Sequence, residues 1–450
     1  MAKAVPFLLL GAVAAFSVVF EAPSANSAPG KSAVDAKGSV SVTADLERSK
    51  MLRGQKGEVY ARVLLQGTEA PPPKERLPIS LTVVVDKSGS MGGDKIVNAR
   101  TSAIAALEQL QPGDKAAVVS FGSRAQVLVE PITIGQDSLV DARRRLEGLG
   151  ASGGTNMRDA LTSADKVASM MFNNERTNRV LLLSDGQPDS AAGLDAQVAT
   201  MAKKGILTTT LGIGRGYNED LMAKLADAGL ANYYFVENAS QMAGIFAKEL
   251  KDIATVVAKE AVVSVELQRG VEVKEVFGYR FSKGETVVAI PMGDIYAGRK
   301  AEVLMKLNVP ASSGHTQLVD VKVTYHDALA GQARRVKQTL AATFIDNRQE
   351  VEQSANVAVF TKAEKVRTAE AMKRASQEAK AGRRSAARKI LADQKARVQS
   401  YSSSFGAAAA PAAAEMEEAL DDLDEEAASD KADMNVSSKK AKARARRMSR

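Results

Sequence analysis

Ile79-Ser80-Leu81-Thr82-Val83-Val84-Val85-Asp86-Lys87-Ser88-Gly89-Ser90-Met91 is the stretch on which the fold turns. Its first half is an almost unbroken aliphatic run, the mark of a strand buried on both faces rather than one. Its second half ends the run with an aspartate and then sets hydroxyls at alternate positions, with glycine for a tight turn. Alternation lets Asp86, Ser88 and Ser90 converge on one point.

Further aliphatic runs follow at Ala116 to Phe121, Val180 to Leu183 and Ile206 to Gly212. Between them, Ile96 to Leu110, Leu139 to Leu146, Met157 to Met171, Glu219 to Ala228 and Gln241 to Ala254 have helical length and period. Strands alternating with helices predict a doubly wound α/β domain over 78–255. Ligands of such sheets bind beyond the carboxyl ends of the strands, so the residues after Val85 and Leu183 are where chemistry is expected.

Outside this unit the period is two. Val40, Val42, Ala44 and Leu46, then Val59, Ala61, Val63 and Leu65, predict two half-buried strands within 38–70. Ala70-Pro71-Pro72-Pro73-Lys74 interrupts regular structure, because proline fixes the backbone and donates no hydrogen bond. From 260 to 345 alternation returns, for example at Val263, Val265 and Leu267 and at Val319, Val321 and Val323, predicting an antiparallel, sandwich-like β domain. Two early strands alone would leave unpaired edges, so the α/β unit is expected to be inserted into this β domain. Residues 350–400 read as a helical hairpin around Ala381-Gly382. Residues 401–450, Ser/Ala-rich, then acidic, then basic, are expected to be disordered because their composition cannot bury enough apolar surface alone.

The 450-residue chain is 45% hydrophobic but only 4% aromatic, without tryptophan, so its cores must be aliphatic. Cysteine is absent and histidine is limited to His315 and His326, which removes disulfides, thiolate nucleophiles and Cys-based zinc sites. The net charge of +8 comes largely from the last hundred residues. Residues 1–28 have the order of a secretory signal peptide: Lys3, an apolar run from Val5 to Phe20, then small residues near Ser27. That run falls short of the roughly 20 residues a spanning helix needs, and no later segment could span a bilayer. The expectation is an exported protein, periplasmic, cell-surface or secreted.

A second aliphatic strand ends in Ser184-Asp185-Gly186, and a loop before a helix reads Gly153-Gly154-Thr155-Asn156. Three strand-end loops thus offer oxygen donors, with no nitrogen or sulfur among them. Such a set suits Mg²⁺, with Mn²⁺ or Ca²⁺ as alternatives, and does not suit Zn²⁺ or copper. Two aspartates balance the dication, and hydroxyls add no charge, so an incoming carboxylate is attracted.

With these motifs the chain resembles the von Willebrand factor A domain family. Asp86, Ser88 and Ser90 match its D-x-S-x-S motif, Thr155 its threonine and Asp185 its second aspartate, an intact metal-ion-dependent adhesion site. The resemblance implies a Rossmann-like fold in which Ser88, Ser90 and Thr155 bind the ion directly. Asp86 and Asp185 would act partly through water, leaving one position for a partner's Glu or Asp. More loosely, the flanking β segments and helical tail resemble bacterial proteins labelled calcium-activated chloride channel-like, from which no channel is inferred.

The function expected is non-enzymatic, metal-dependent protein binding, as an adhesin or scaffold. A regulatory or assembly subunit of an envelope complex is the alternative. A metal-assisted hydrolase is disfavoured because no H-E-x-x-H pattern exists and general bases are scarce. The basic segments Lys380 to Arg397 and Lys439 to Arg450 read as solvated charge or as contacts to an anionic envelope, not to nucleic acid. Gly212, Gly214 and Gly216 lack dinucleotide-loop spacing and read as a turn.

Overall fold

The computed structural model describes residues 38–69, 76–185, 188–214, 216–427 and 448. The expected leader at 1–28, the Pro71–Pro73 run, Gly186 and most of the charged C-terminal tail lie outside the described residues.

The chain opens with strands β1 (Val40–Leu46), β2 (Lys50–Leu52) and β3 (Gly57–Gly67). An α/β unit follows: β4 (Ile79–Asp86), α1 (Asp94–Glu108), β5 (Lys115–Phe121), β6 (Ala125–Thr133), α2 (Gln136–Glu147), α3 (Met157–Met171), β7 (Thr177–Ser184), α4 (Leu194–Lys203), β8 (Ile206–Ile213), α5 (Glu219–Ala228), β9 (Leu230–Val236) and α6 (Met242–Ile253). Strands then resume as β10 (Val256–Leu267), β11 (Glu272–Phe277), β12 (Ser282–Lys283), β13 (Val287–Tyr296), β14 (Lys300–Val309), β15 (Gly314–Asp327) and β16 (Gln332–Ile345). Helices α7 (Arg348–Gln353), α8 (Val357–Lys380), α9 (Arg384–Phe405) and α10 (Ala410–Ala427) complete the described chain.

The α/β sheet has the order β6-β5-β4-β7-β8-β9. All its neighbours are parallel except the edge strand β6, which runs antiparallel to β5. Every residue of β4, β7 and β8 is buried, which is why apolar residues stand at consecutive positions in them, as at Val83–Val85 and Val180–Leu183. Leu81, Val83 and Val85 face one helical layer with Ile96 and Ala99 of α1 and Phe246 and Leu250 of α6. Val84, Val180 and Leu182 face the other, with Leu161 of α3, Val198 of α4 and Leu225 of α5. The chain leaves β4 for β5 on one side and returns to β7 on the other. The carboxyl ends of β4 and β7 therefore flank the switch point where such sheets bind ligands.

The insertion expected from the two early strands is present. β3 pairs antiparallel with β14, matching Ala61 with Met305 and Val63 with Val303 across the whole α/β unit. One sandwich sheet has the order β1-β3-β14-β11 and the other β12-β13-β10-β15-β16-β2. Val42, Val63, Val263, Val303, Val321 and Phe344 meet in their shared core.

The disorder expected over 401–450 is corrected for 401–427, while 428–447 and 449–450 lie outside the described residues. α9 runs to Phe405, and α10 packs on α8 and α9 instead of remaining unstructured. Ala413, Met416, Leu420 and Leu423 recur at helical spacing and are buried against Met372, Leu391 and Val398. Lys395 to Asp421 at 2.7 Å and Arg388 to Asp424 at 3.1 Å draw the acidic helix onto a basic one. Composition judged the segment alone, whereas its few apolar side chains complete a core that α8 and α9 supply. Leu420→Ala should cost about 2–5 kcal/mol of this packing, visible as faster cleavage by a glutamate-specific protease within residues 415–418.

Candidate metal centre

Asp86 closes β4 with its side chain fully buried. One carboxylate oxygen accepts the Ser88 N–H at 2.8 Å and the other accepts the Ser184 hydroxyl at 2.6 Å. Burial pushes this carboxyl above its ordinary range; the Ser184 and Ser88 hydrogen bonds oppose the shift, and the nearby Asp185 charge adds to it. Asp86 is the floor of a site that favours positive charge.

A single 3₁₀ turn at Gly89–Met91 follows, pinned by Met91, which is buried in the core between sheet and α1. The turn brings the Ser88 and Ser90 hydroxyl oxygens to 3.1 Å from each other. Ser90, exposed at the mouth, donates to Asp185 Oδ1 at 2.8 Å. Asp86, Ser88, Ser90 and Asp185 therefore form one chain of hydrogen bonds across the ends of β4 and β7.

Thr155 comes in on a third loop. That loop is tied to the serine turn by the Gly89 N–H, which donates to the Gly153 carbonyl at 2.9 Å. Gly153 has φ of +85°, a backbone state that side chains rarely tolerate, so glycine is required for this bend. Thr155 is buried, and its carbonyl accepts the Asp189 N–H at 3.1 Å, which links it to the loop after β7. Asn156 then caps α3 by accepting the Asp159 N–H at 3.1 Å.

Two residues that the sequence did not single out belong to this arrangement. Ser184 precedes Asp185 and holds Asp86. Lys95, on the first turn of α1, donates its ammonium to Asp185 Oδ2 and to the Ser90 carbonyl, the latter at 3.1 Å. Ser184 could have been found from its place at the strand end, next to the aspartate. Lys95 carries no signal of its own without knowing where α1 begins.

The donor set fits a hard divalent cation: two carboxylates and several hydroxyls, all oxygen. Among the described residues no three Asp, Glu, His or Cys side chains cluster as a metal site. The Ser88 and Ser90 hydroxyls are the further side-chain oxygens at hand, as the D-x-S-x-S spacing anticipates.

His315 and His326 are exposed on β15, away from these loops. Of the three glycines at the end of β8, Gly212 has a packing role, whereas nothing lies near Gly216. A side chain at Gly212 would lie 2.1 Å from the Tyr217 ring, and Gly214 lies beside Lys95.

Residues 80–248 match the model of the von Willebrand factor type A domain. A second model of the same description matches residues 295–398. That stretch holds sandwich strands and helices α7 to α9, not a second parallel sheet. The uncharacterized protein YfbK of Escherichia coli is 26% identical over 52% of this chain and 43% of its own length. The uncharacterized protein sll0103 of Synechocystis is 24% identical over 60% of this chain and 66% of its own. The chain thus covers less than two thirds of either relative. A von Willebrand factor type A structure from Catenulispora acidiphila superimposes with a TM-score of 0.71, covering 87% of this chain and 91% of that one at 18% identity. The likeness in fold therefore extends beyond the α/β unit to the flanking sandwich.

Proposed function

We propose that the von Willebrand factor type A domain matched by residues 80–248 serves here as a Mg²⁺-dependent clamp for an acidic side chain of a protein partner. Proteins with this domain generally mediate protein–protein interaction or adhesion. One observation carries the finer reading: Asp86, Ser88, Ser90 and Asp185, from two strand ends, touch in sequence around an opening to solvent at Ser90. Thr155 sits on a loop hydrogen-bonded to both neighbours. The aspartates and hydroxyls would hold the ion, and the ion would supply the positive charge that binds a partner's carboxylate. No general base of the kind hydrolysis needs enters this reading, so the role is binding rather than catalysis.

The leader-like order of residues 1–28 supports export, and the partner would then be an envelope or extracellular protein. Among the described residues no helix is long and apolar enough to cross a membrane. The sandwich would act as the pedestal that presents the metal loops, and basic segments of the tail would add contact to an anionic envelope.

Capture of a partner from envelope extracts by the immobilised chain is expected to need Mg²⁺ and to fall at least about tenfold on chelation or in Ser88→Ala. Retention that is indifferent to chelator and to Ser88→Ala would overturn the proposal. Sequencing the mature N-terminus tests export separately, with a start near residue 28 expected.

A further inference from the structure

We infer that Lys95 is a built-in competitor of the divalent ion, an ammonium held on the Asp185 carboxylate that the ion would use. The inference rests on the metal-binding reading of this site. Lys95 reaches from the first turn of α1 across to the end of β7, where it ion-pairs with Asp185 and donates to the Ser90 carbonyl. The Asp185 side chain has no exposed surface, while that of Lys95 is about a third exposed. The lysine can therefore leave for water at little cost, but the carboxylate cannot.

The path of the lysine is bounded by the backbone after β8. A Cβ built on Gly214 would sit 3.6 Å from Lys95 Cε and 3.8 Å from Nζ, ordinary contact distances. The side chain is thus held in a slot between α1 and the β8 loop, aimed at the metal loops. Among the described residues Asp86 has no such cation: its oxygens accept from a hydroxyl and an N–H. The two carboxylates are therefore treated differently. Lys95 compensates Asp185 alone, and the deeper Asp86 is left for the ion.

A dication entering beside Asp185 meets an ammonium a few ångströms away, and like charges at that range repel strongly in a partly buried site. Binding must either expel Lys95 or pay that repulsion. Lys95 thereby sets the ion concentration at which the site fills, and it keeps Asp185 compensated below that concentration.

The test is calorimetric titration of the full chain with Mn²⁺ alone and with Mg²⁺ alone, comparing wild type with Lys95→Met and Lys95→Gln. Both variants should bind either ion about tenfold more tightly, and with chelator present both should melt below wild type because Asp185 loses its partner. Binding by the variants where wild type shows none would support the same conclusion. Equal or weaker affinity in both variants overturns the role of Lys95 while leaving the metal site standing. Absence of binding by all three proteins overturns the metal site itself, and the inference with it.

Discussion

Asp86→Asn is expected to raise the thermal stability of the chelated protein while lowering its Mg²⁺ affinity about a hundredfold or more. The two effects share one cause. Asp86 is fully buried, and burial lifts its carboxyl above the ordinary range, so ionising it costs the folded chain more than the unfolded one. A carboxyl raised on folding stabilises only below its unfolded range and loses that contribution as pH climbs. The penalty therefore grows as pH rises through the raised folded value. An asparagine keeps the oxygen that accepts the Ser88 N–H and meets the Ser184 hydroxyl as a donor. The gain should be about 1 kcal/mol, the scale of a poorly satisfied buried polar group. Magnesium reverses the order: at a hundred times its dissociation constant it stabilises wild type by about 2.7 kcal/mol and the variant by almost nothing. Melting curves with chelator and with Mg²⁺ should therefore cross over. Parallel curves would show that Asp86 is not part of an ion site.

The central α/β unit was legible because burial on both faces sets apolar residues at consecutive positions, as at Val83–Val85 of β4 and Val180–Leu183 of β7. Elements that are half exposed were harder to read. β6 is an edge strand with one buried residue, Val129, and contains Pro131. β9, interrupted by Asn232, and the short α4 likewise passed unmarked. At the metal loops the sequence named the side chains that point inward but not those that act on them from elsewhere. Ser184 and Lys95 are defined by where two strands and a helix end relative to one another, a relation that spacing along the chain does not contain. For α10 the error was one of context. Apolar positions too sparse for an independent fold suffice when a neighbouring hairpin provides the rest of the core.

Arg179→Ala should destabilise the protein by about 3–5 kcal/mol and split its unfolding into two steps. Arg179 lies near the start of β7, the strand whose other end carries Ser184 and Asp185, and its side chain is completely buried. Its guanidinium donates to Asp294 at 2.9 Å and to the Tyr296 hydroxyl at 3.0 Å, both on sandwich strand β13. Desolvation works against its charge, while Tyr296, Asp294 and Glu249 hold it protonated. Glu249, on α6, is itself held by Asn232 at 2.9 Å and Tyr234 at 2.7 Å. A single buried cation thus joins the α/β sheet, its last helix and the sandwich. Removing it leaves the buried Asp294 carboxylate without its cation, and the cost of that uncompensated charge exceeds the value of the pair. Arg179→Met combined with Asp294→Leu should accordingly recover most of the loss, because neither charge is then left alone. Urea unfolding is the measurement. One shared transition in wild type, two in Arg179→Ala and a restored single transition in the double variant would establish the arginine as a coupling element between the two domains. Equal losses in the single and double variants would assign the effect to packing volume instead.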